Sequence, residues 1–262
     1  YPKDEESLQM FYSEDVPEAA RIALRDRRNA FDKIIIDEAQ DLIRTQYIKI
    51  MDLCIKNGFS RGRWTMFGDF EMQAIYSGNQ TGDDLKQLIE DITSFARFKL
   101  TINCRNTKPI CEEIQTVTGF RAPPVLQTLI DGPPVNYITY ETLDEEKTKL
   151  EALLASLLGS NIDEKRITIL SPYKRDNSVV ALVDGYNIRD YRKAVNSKIT
   201  FCTIQGYKGL ENTVIILTDV DAFQSDKLMY VAFSRARSGL YILMSDNAVK
   251  EYLELQRRRF LQ

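Results

Sequence analysis

The sequence predicts an α/β protein built on parallel sheet, on three observations. Short apolar runs alternate with amphipathic segments throughout, the pattern left by βα units when helices cover a parallel sheet. The segments between the runs begin with acidic residues, which suit helix capping and the helix dipole. Of 262 residues, 44% are hydrophobic and 28% charged, enough apolar material for a substantial core in one or two domains.

Taken in order, strands are expected at KIIID (33–37), WTMFGD (64–69), FKLTIN (98–103), VNYITY (135–140), ITILSP (167–172), ITFCTI (199–204), TVIILTD (213–219) and LYILMS (240–245). Helices are expected over 83–95, 144–159 and 226–237, where apolar residues recur at helical spacing. The stretch from Gly119 to Pro134 carries Pro123, Pro124, Pro133 and Pro134, and paired prolines favour extended loop. A domain boundary is expected between Ser94 and Phe98, dividing the chain into 1–96 and 97–262. The longest apolar runs are far too short to span a bilayer as a helix, so no membrane association is expected.

Composition removes several chemistries. With no histidine, Ser-His-Asp and Cys-His catalysis are excluded, and proton transfer falls to carboxylates, Lys, Tyr or a metal. Cys54, Cys104, Cys111 and Cys202 form no CxxC pair, so they read as buried, reduced thiols in a cytoplasmic protein. A net charge of −3 gives no global attraction to a polyanion. Local basic clusters at Arg21, Arg25, Arg27 and Arg28, at Arg61 and Arg63, and at Arg257–Arg259 offer nucleic-acid contacts or simply solvated faces. Tyr1 is preceded by no initiator methionine and followed by no signal-peptide pattern, so the chain is expected to be part of something longer.

The strongest local signal is KIIIDEAQD, an apolar strand that ends abruptly in Asp37 and Glu38. Open α/β sheets place ligands at that carboxyl edge. An Asp there can hold hydrated magnesium, and a neighbouring Glu can deprotonate the water that attacks a γ-phosphate. The plainer alternative is an acidic first turn of the following helix. WTMFGDFEMQAIY ends in Gly68 and Asp69 with Gln73 close behind, a second polar cluster beside the first.

From Phe31 to Leu243 these blocks, in this order, resemble the UvrD/Rep-like branch of superfamily 1 helicases. Asp37, Glu38, Ala39, Gln40 and Asp41 match the Walker B block, which implies magnesium at Asp37 and water activation at Glu38. Gly68, Asp69 and Gln73 match the next, whose Gln senses the γ-phosphate. Leu100, Asn103, Arg105 and Thr107 match a block whose Arg contacts that phosphate. Thr203, Gln205, Lys208, Gly209, Leu210 and Glu211 match the block that links DNA to nucleotide, whose Glu contacts the ribose. Tyr230, Val231, Ser234, Arg235 and Ala236 match the arginine-finger block. The resemblance implies RecA-like P-loop NTPase domains, the rear half of a first and a complete second. It implies ATP and Mg2+ as ligands and single-stranded DNA as partner, with RNA left open.

Departures from the family pattern limit what is expected. No Gly-x-x-x-x-Gly-Lys-Ser/Thr loop occurs, so the chain alone is expected to bind ATP poorly and turn none over without the N-terminal remainder of a motor. Gln73 sits one residue farther from Asp69 than usual, and Cys104 replaces an adenine-stacking aromatic. The DNA-stacking tryptophan is absent after Tyr76, which is the substitute candidate. About a hundred residues separate Arg105 from Thr203, too few for a large inserted subdomain. Two other readings stay open: a catalytically dead, motor-derived binding module, and a metal-dependent nuclease using Asp37, Glu38 and Asp69.

Overall fold

The structure is a computed structural model that describes residues 4, 7, 10–25, 29–69, 82–121, 123–126, 131–193, 198–223 and 225–260. The chain divides into two compact units, Tyr1–Lys99 and Leu100–Gln262.

In the first unit a single π-helical turn, Phe11–Asp15, runs into α1 (Val16–Ala23). There follow β1 (Lys33–Ile36), α2 (Ala39–Leu42), α3 (Thr45–Cys54), α4 (Gly58–Arg61), β2 (Arg63–Met66) and α5 (Gly82–Glu90). The strands β1 and β2 pair in parallel, with Ile34 opposite Trp64 and Ile36 opposite Met66. Ile36, Ala39, Ile43, Ile48, Phe59 and Ile89 close a core, and the Trp64 indole donates to the Phe59 carbonyl at 3.0 Å. Although β1 is a continuous apolar run after Lys33, Ile35 is 63% exposed.

The second unit carries α6 (Lys108–Thr118), β3 (Asn136–Tyr140), α7 (Leu143–Gly159), β4 (Ile167–Ser171), β5 (Ile188–Asp190), β6 (Ile199–Thr203), β7 (Asn212–Val220), α8 (Asp226–Ser234), β8 (Ala236–Ser245) and α9 (Asp246–Phe260). Six parallel strands form one sheet in the order β3-β8-β7-β4-β6-β5. The inner strands β4 and β7 read as near-continuous apolar runs because parallel sheets are covered on both faces. The helix α7 buries Leu150, Leu154 and Leu157, spaced to lie on one face, against this sheet. Its start is fixed by Thr142, whose side chain accepts from the Glu145 N–H, and by Asp144, Glu145 and Glu146 in the first turn. The helix α6 ends at Gly119, whose φ of 72° gives the left-handed C-terminal turn that glycine adopts without a Cβ clash.

Three local expectations change. FKLTIN forms no strand: Asn103 makes one isolated parallel bridge to Val125, and Phe98 is 92% exposed. Its alternating apolar residues have the right period but find no ladder partner. The helix expected over 226–237 stops at Ser234, and β8 already begins at Ala236. The cysteines are all free, but only Cys111 is buried, and there burial pushes the thiol up to about 11; Cys104 is exposed. Among the described residues no helix is long and apolar enough to cross a membrane.

Candidate functional site

In the first unit, Asp37 and Glu38 stand at the carboxyl end of β1, and the two strand tips are tied together there. The Phe67 N–H donates to the Ile36 carbonyl and the Ala39 N–H to the Phe67 carbonyl, both at 2.8 Å. Gln40, only 1% exposed, adds a side-chain bridge: its Nε2 donates to Glu38 Oε2 at 2.5 Å, and its Oε1 accepts from the Asp69 N–H at 3.0 Å. Glu38 itself has φ 50° and ψ 43°, a left-handed conformation that costs a residue with a Cβ about 1 kcal/mol or more. Asp37 Oδ1 accepts the Glu38 N–H at 2.9 Å, closing the turn. Gln40 lies within a block quoted for the resemblance, but nothing in the sequence singled it out as a hydrogen-bond partner of Glu38. Gln73 and Tyr76 lie outside the described residues.

Magnesium takes one or two protein carboxylates and fills its other positions with water and phosphate oxygens. Asp37 fits that demand, being exposed with one oxygen engaged by its own turn. Among the described residues no group of three or more Asp, Glu or Cys is placed to hold a metal by protein ligands alone.

In the second unit, three blocks far apart in sequence meet at the amino edge of the sheet. Arg105 Nε lies 2.5 Å from Glu211 Oε2, and Arg237 Nε lies 3.6 Å from Glu211 Oε1. Glu211 is the residue before β7 and Arg235 the residue before β8. Arg235 is 1% exposed, and its guanidinium turns inward. Nε donates to the Val231 carbonyl at 3.0 Å, Nη1 to the Leu210 carbonyl at 3.1 Å and Nη2 to Ser234 Oγ at 2.8 Å. A surface ion pair thus describes Arg105 but not Arg235.

The first member of the fourth block lies elsewhere. Thr203 ends β6 at the carboxyl edge, opposite Ser171, and its Oγ1 accepts from the Gly206 N–H at 3.1 Å. From there a 3-10 turn, Gln205–Tyr207, and Lys208 to Glu211 carry the chain back to the amino edge. Gly209 makes that return with φ 81°. Tyr207 is buried beside Thr168, which locks the middle of the segment into the sheet. One block therefore spans both ends of the sheet, with Thr203 at one and Glu211 at the other.

The turn before α6 is built by amides. Asn103 Oδ1 accepts from the N–H groups of Arg105 and Asn106, at 2.8 and 3.0 Å. Thr107 Oγ1 is buried without a hydrogen-bond partner.

A buried acidic network at the carboxyl edge was missed by sequence reasoning, although Asp219 ends an apolar run much as Asp37 does. Asp219, with φ 59°, accepts from Ser171 Oγ and Ser178 Oγ at 2.6 Å, from Thr218 Oγ1 at 3.0 Å and from the Val179 N–H at 2.8 Å. Its own N–H donates to Glu146 Oε1 at 2.7 Å. Burial, with the nearby charges of Asp219 and Asp221 adding to it, pushes the Glu146 carboxyl up to about 8. Burial likewise raises the Tyr140 phenol, which donates to Asp221 at 3.3 Å. This network fixes the segment after β4 rather than presenting groups to solvent.

The basic clusters are partly neutralised. Arg21 pairs with Glu18 at 2.5 Å and Arg258 lies 3.7 Å from Glu254. Arg27, Arg28 and the side chain of Arg259 lie outside the described residues.

A family model described as an AAA domain matches residues 139–247, from β3 to the start of α9. The C-terminal domain of a possible DNA helicase from Lactobacillus plantarum WCFS1 is similar over 58% of this chain and 96% of its own, with TM-score 0.45 and 15% identity. No curated protein matches the chain.

Proposed function

We propose that the chain is a working part of an ATP-dependent DNA helicase or translocase of the UvrD/Rep-like kind. The observation that carries this reading is the meeting of Arg105, Glu211 and the Arg235 turn, from three widely separated blocks, at one edge of one sheet. The AAA domain match over 139–247 supports it, since two of those blocks lie inside the matched residues.

Phosphoryl transfer is catalysed chiefly by positioning and by neutralising charge on the equatorial oxygens. In this reading the first unit supplies the acidic groups. Glu38, held by Gln40, orients and deprotonates the attacking water, and Asp37 holds magnesium, which supplies charge neutralisation when bound. The second unit supplies Arg105 and Arg235 to the γ-phosphate and Glu211 to the ribose. Arg235 would act by exchanging the Leu210 and Val231 carbonyls for phosphate oxygens. Arg105, paired with Glu211, has a carboxylate to leave in the same way. Thr203, Gln205 and Lys208 would meet single-stranded DNA, and the segment 204–211 would pass strain between that contact and Glu211. Gln73 and Tyr76 keep their proposed parts as γ-phosphate sensor and base-stacking platform.

The test is magnesium-dependent ATP hydrolysis, stimulated by single-stranded DNA, in the complete product of the gene. Turnover should be lost on Glu38→Gln. A complete product that binds DNA but hydrolyses no ATP would instead make the chain a binding module. DNA cleavage abolished by Asp37→Ala would make it a nuclease.

A further inference from the structure

We infer that Asn106 is a positioning residue for Arg235. It deepens the motor reading and rests on it only where turnover is concerned. Asn106 is buried at the start of α6, yet its side-chain amide reaches across 128 residues of sequence to α8 and β8. Its Nδ2 donates to the Ser234 carbonyl at 3.1 Å and to the Ala236 carbonyl at 2.6 Å. Those are the carbonyls on either side of Arg235, so one amide grips the two residues flanking the guanidinium-bearing one.

The grip is itself held. Asn106 Oδ1 accepts from Asn103 Nδ2 at 3.1 Å, and Asn103 Oδ1 accepts the N–H groups of Arg105 and Asn106. An unbroken set of hydrogen bonds thus runs from the backbone of Arg105, through two asparagine amides, to the backbone on both sides of Arg235. Asn106 donates both amide hydrogens and accepts through its oxygen, whereas a hydroxyl has a single hydrogen to donate and an aliphatic side chain has none. The Ser234 carbonyl is one of those left open at a helix C-terminus, so Asn106 also closes α8. That capping role alone would stabilise the fold without concern for where Arg235 points.

The two roles separate by experiment. Arginine-directed dicarbonyl labelling with phenylglyoxal, mapped by mass spectrometry, reports whether the Arg235 guanidinium is shielded. Native protein should show Arg235 protected relative to Arg105. Asn106→Ala should raise Arg235 labelling at least tenfold, and Asn106→Ser, which keeps one donor and destabilises less, should raise it to an intermediate level. Ser178→Ala, which weakens the same unit through Asp219, should leave Arg235 protected. In the complete gene product, Asn106→Ala should lower kcat at least tenfold with KM within about threefold. Arg235 protection unchanged in both Asn106 variants overturns the inference, as does equal labelling in the Ser178→Ala control. Turnover unaffected by Arg235→Ala overturns the motor reading instead, and is measured on a separate variant.

Discussion

Replacing Glu146 by Gln should turn a pH-dependent fold into one that is flatter across neutrality. Glu146 is 1% exposed, and its Oε1 accepts the Asp219 N–H, a bond that a glutamine carbonyl can keep. Burial first, then the charges of Asp219 and Asp221, raise its carboxyl from 4.5 to about 8 in the folded chain. Between those values the folded state holds a proton that the unfolded state has released. The associated stability is therefore fully present below about 4.5 and drains away as pH rises through about 8. One pH unit is worth about 1.4 kcal/mol, so the ceiling is about 5 kcal/mol, and relaxation of the buried network will return less. Other groups titrate over the same range, so the quantity to read is wild type minus Glu146→Gln. Urea unfolding of the second unit at pH 5 and pH 9 supplies it. The variant should be no more stable than wild type at pH 5 and more stable at pH 9, by up to about 5 kcal/mol. Parallel stability curves for the two proteins from pH 5 to pH 9 would refute the assignment of a protonated Glu146 to the native state.

Two further outcomes follow from the geometry. Gln40→Ala removes the strut from Glu38 and leaves the Asp69 N–H without its side-chain acceptor; about 1–3 kcal/mol of stability should be lost in thermal unfolding, and ATP turnover should fall through kcat rather than KM. Lys208→Ala should weaken single-stranded DNA binding and reduce the slope of log affinity against log salt by about 0.7, read from titrations at several salt concentrations.

The parts of the fold that could be read from sequence are those that the chain specifies locally. KIIID and TVIILTD are apolar runs long enough to be strands, and the acidic start of α7 with its leucines at one-face spacing announces that helix. FKLTIN has equally good local credentials and fails because a strand needs a neighbour, which only the tertiary fold can supply. The edge strand β5, Ile188–Asp190, is short and polar and carries no such signal. β8 starts four residues earlier than its apolar run because Ala236 pairs opposite Asn212, with Arg237 and Ser238 in an irregularity of register before Gly239 pairs with Val214.

The candidate site divides the same way. Asp37 and Glu38 were visible because a strand that ends in two acids is unusual by itself. The Arg105–Glu211 pair joins residues over a hundred positions apart, and only the family pattern put both on one short roll of candidates. That Arg235 faces inward, and that Asn106 grips its neighbours, depends on how α6 packs against α8. No spacing in the sequence encodes that. Gln40 was quoted within a matching block, but its role became visible only once β1 and β2 were seen side by side.

The central proposal is that Glu38 and Arg235 serve one hydrolytic reaction. The most direct measurement is kcat for magnesium-dependent ATP hydrolysis by the complete gene product carrying Glu38→Gln, Arg235→Ala, or both. Residues that act as a unit give grossly non-additive losses. Each single change should cost about a thousandfold, the scale of an arginine finger, and the double variant should lie within about tenfold of the slower single. Losses that multiply in the double variant, or wild-type turnover in either single one, would contradict the account.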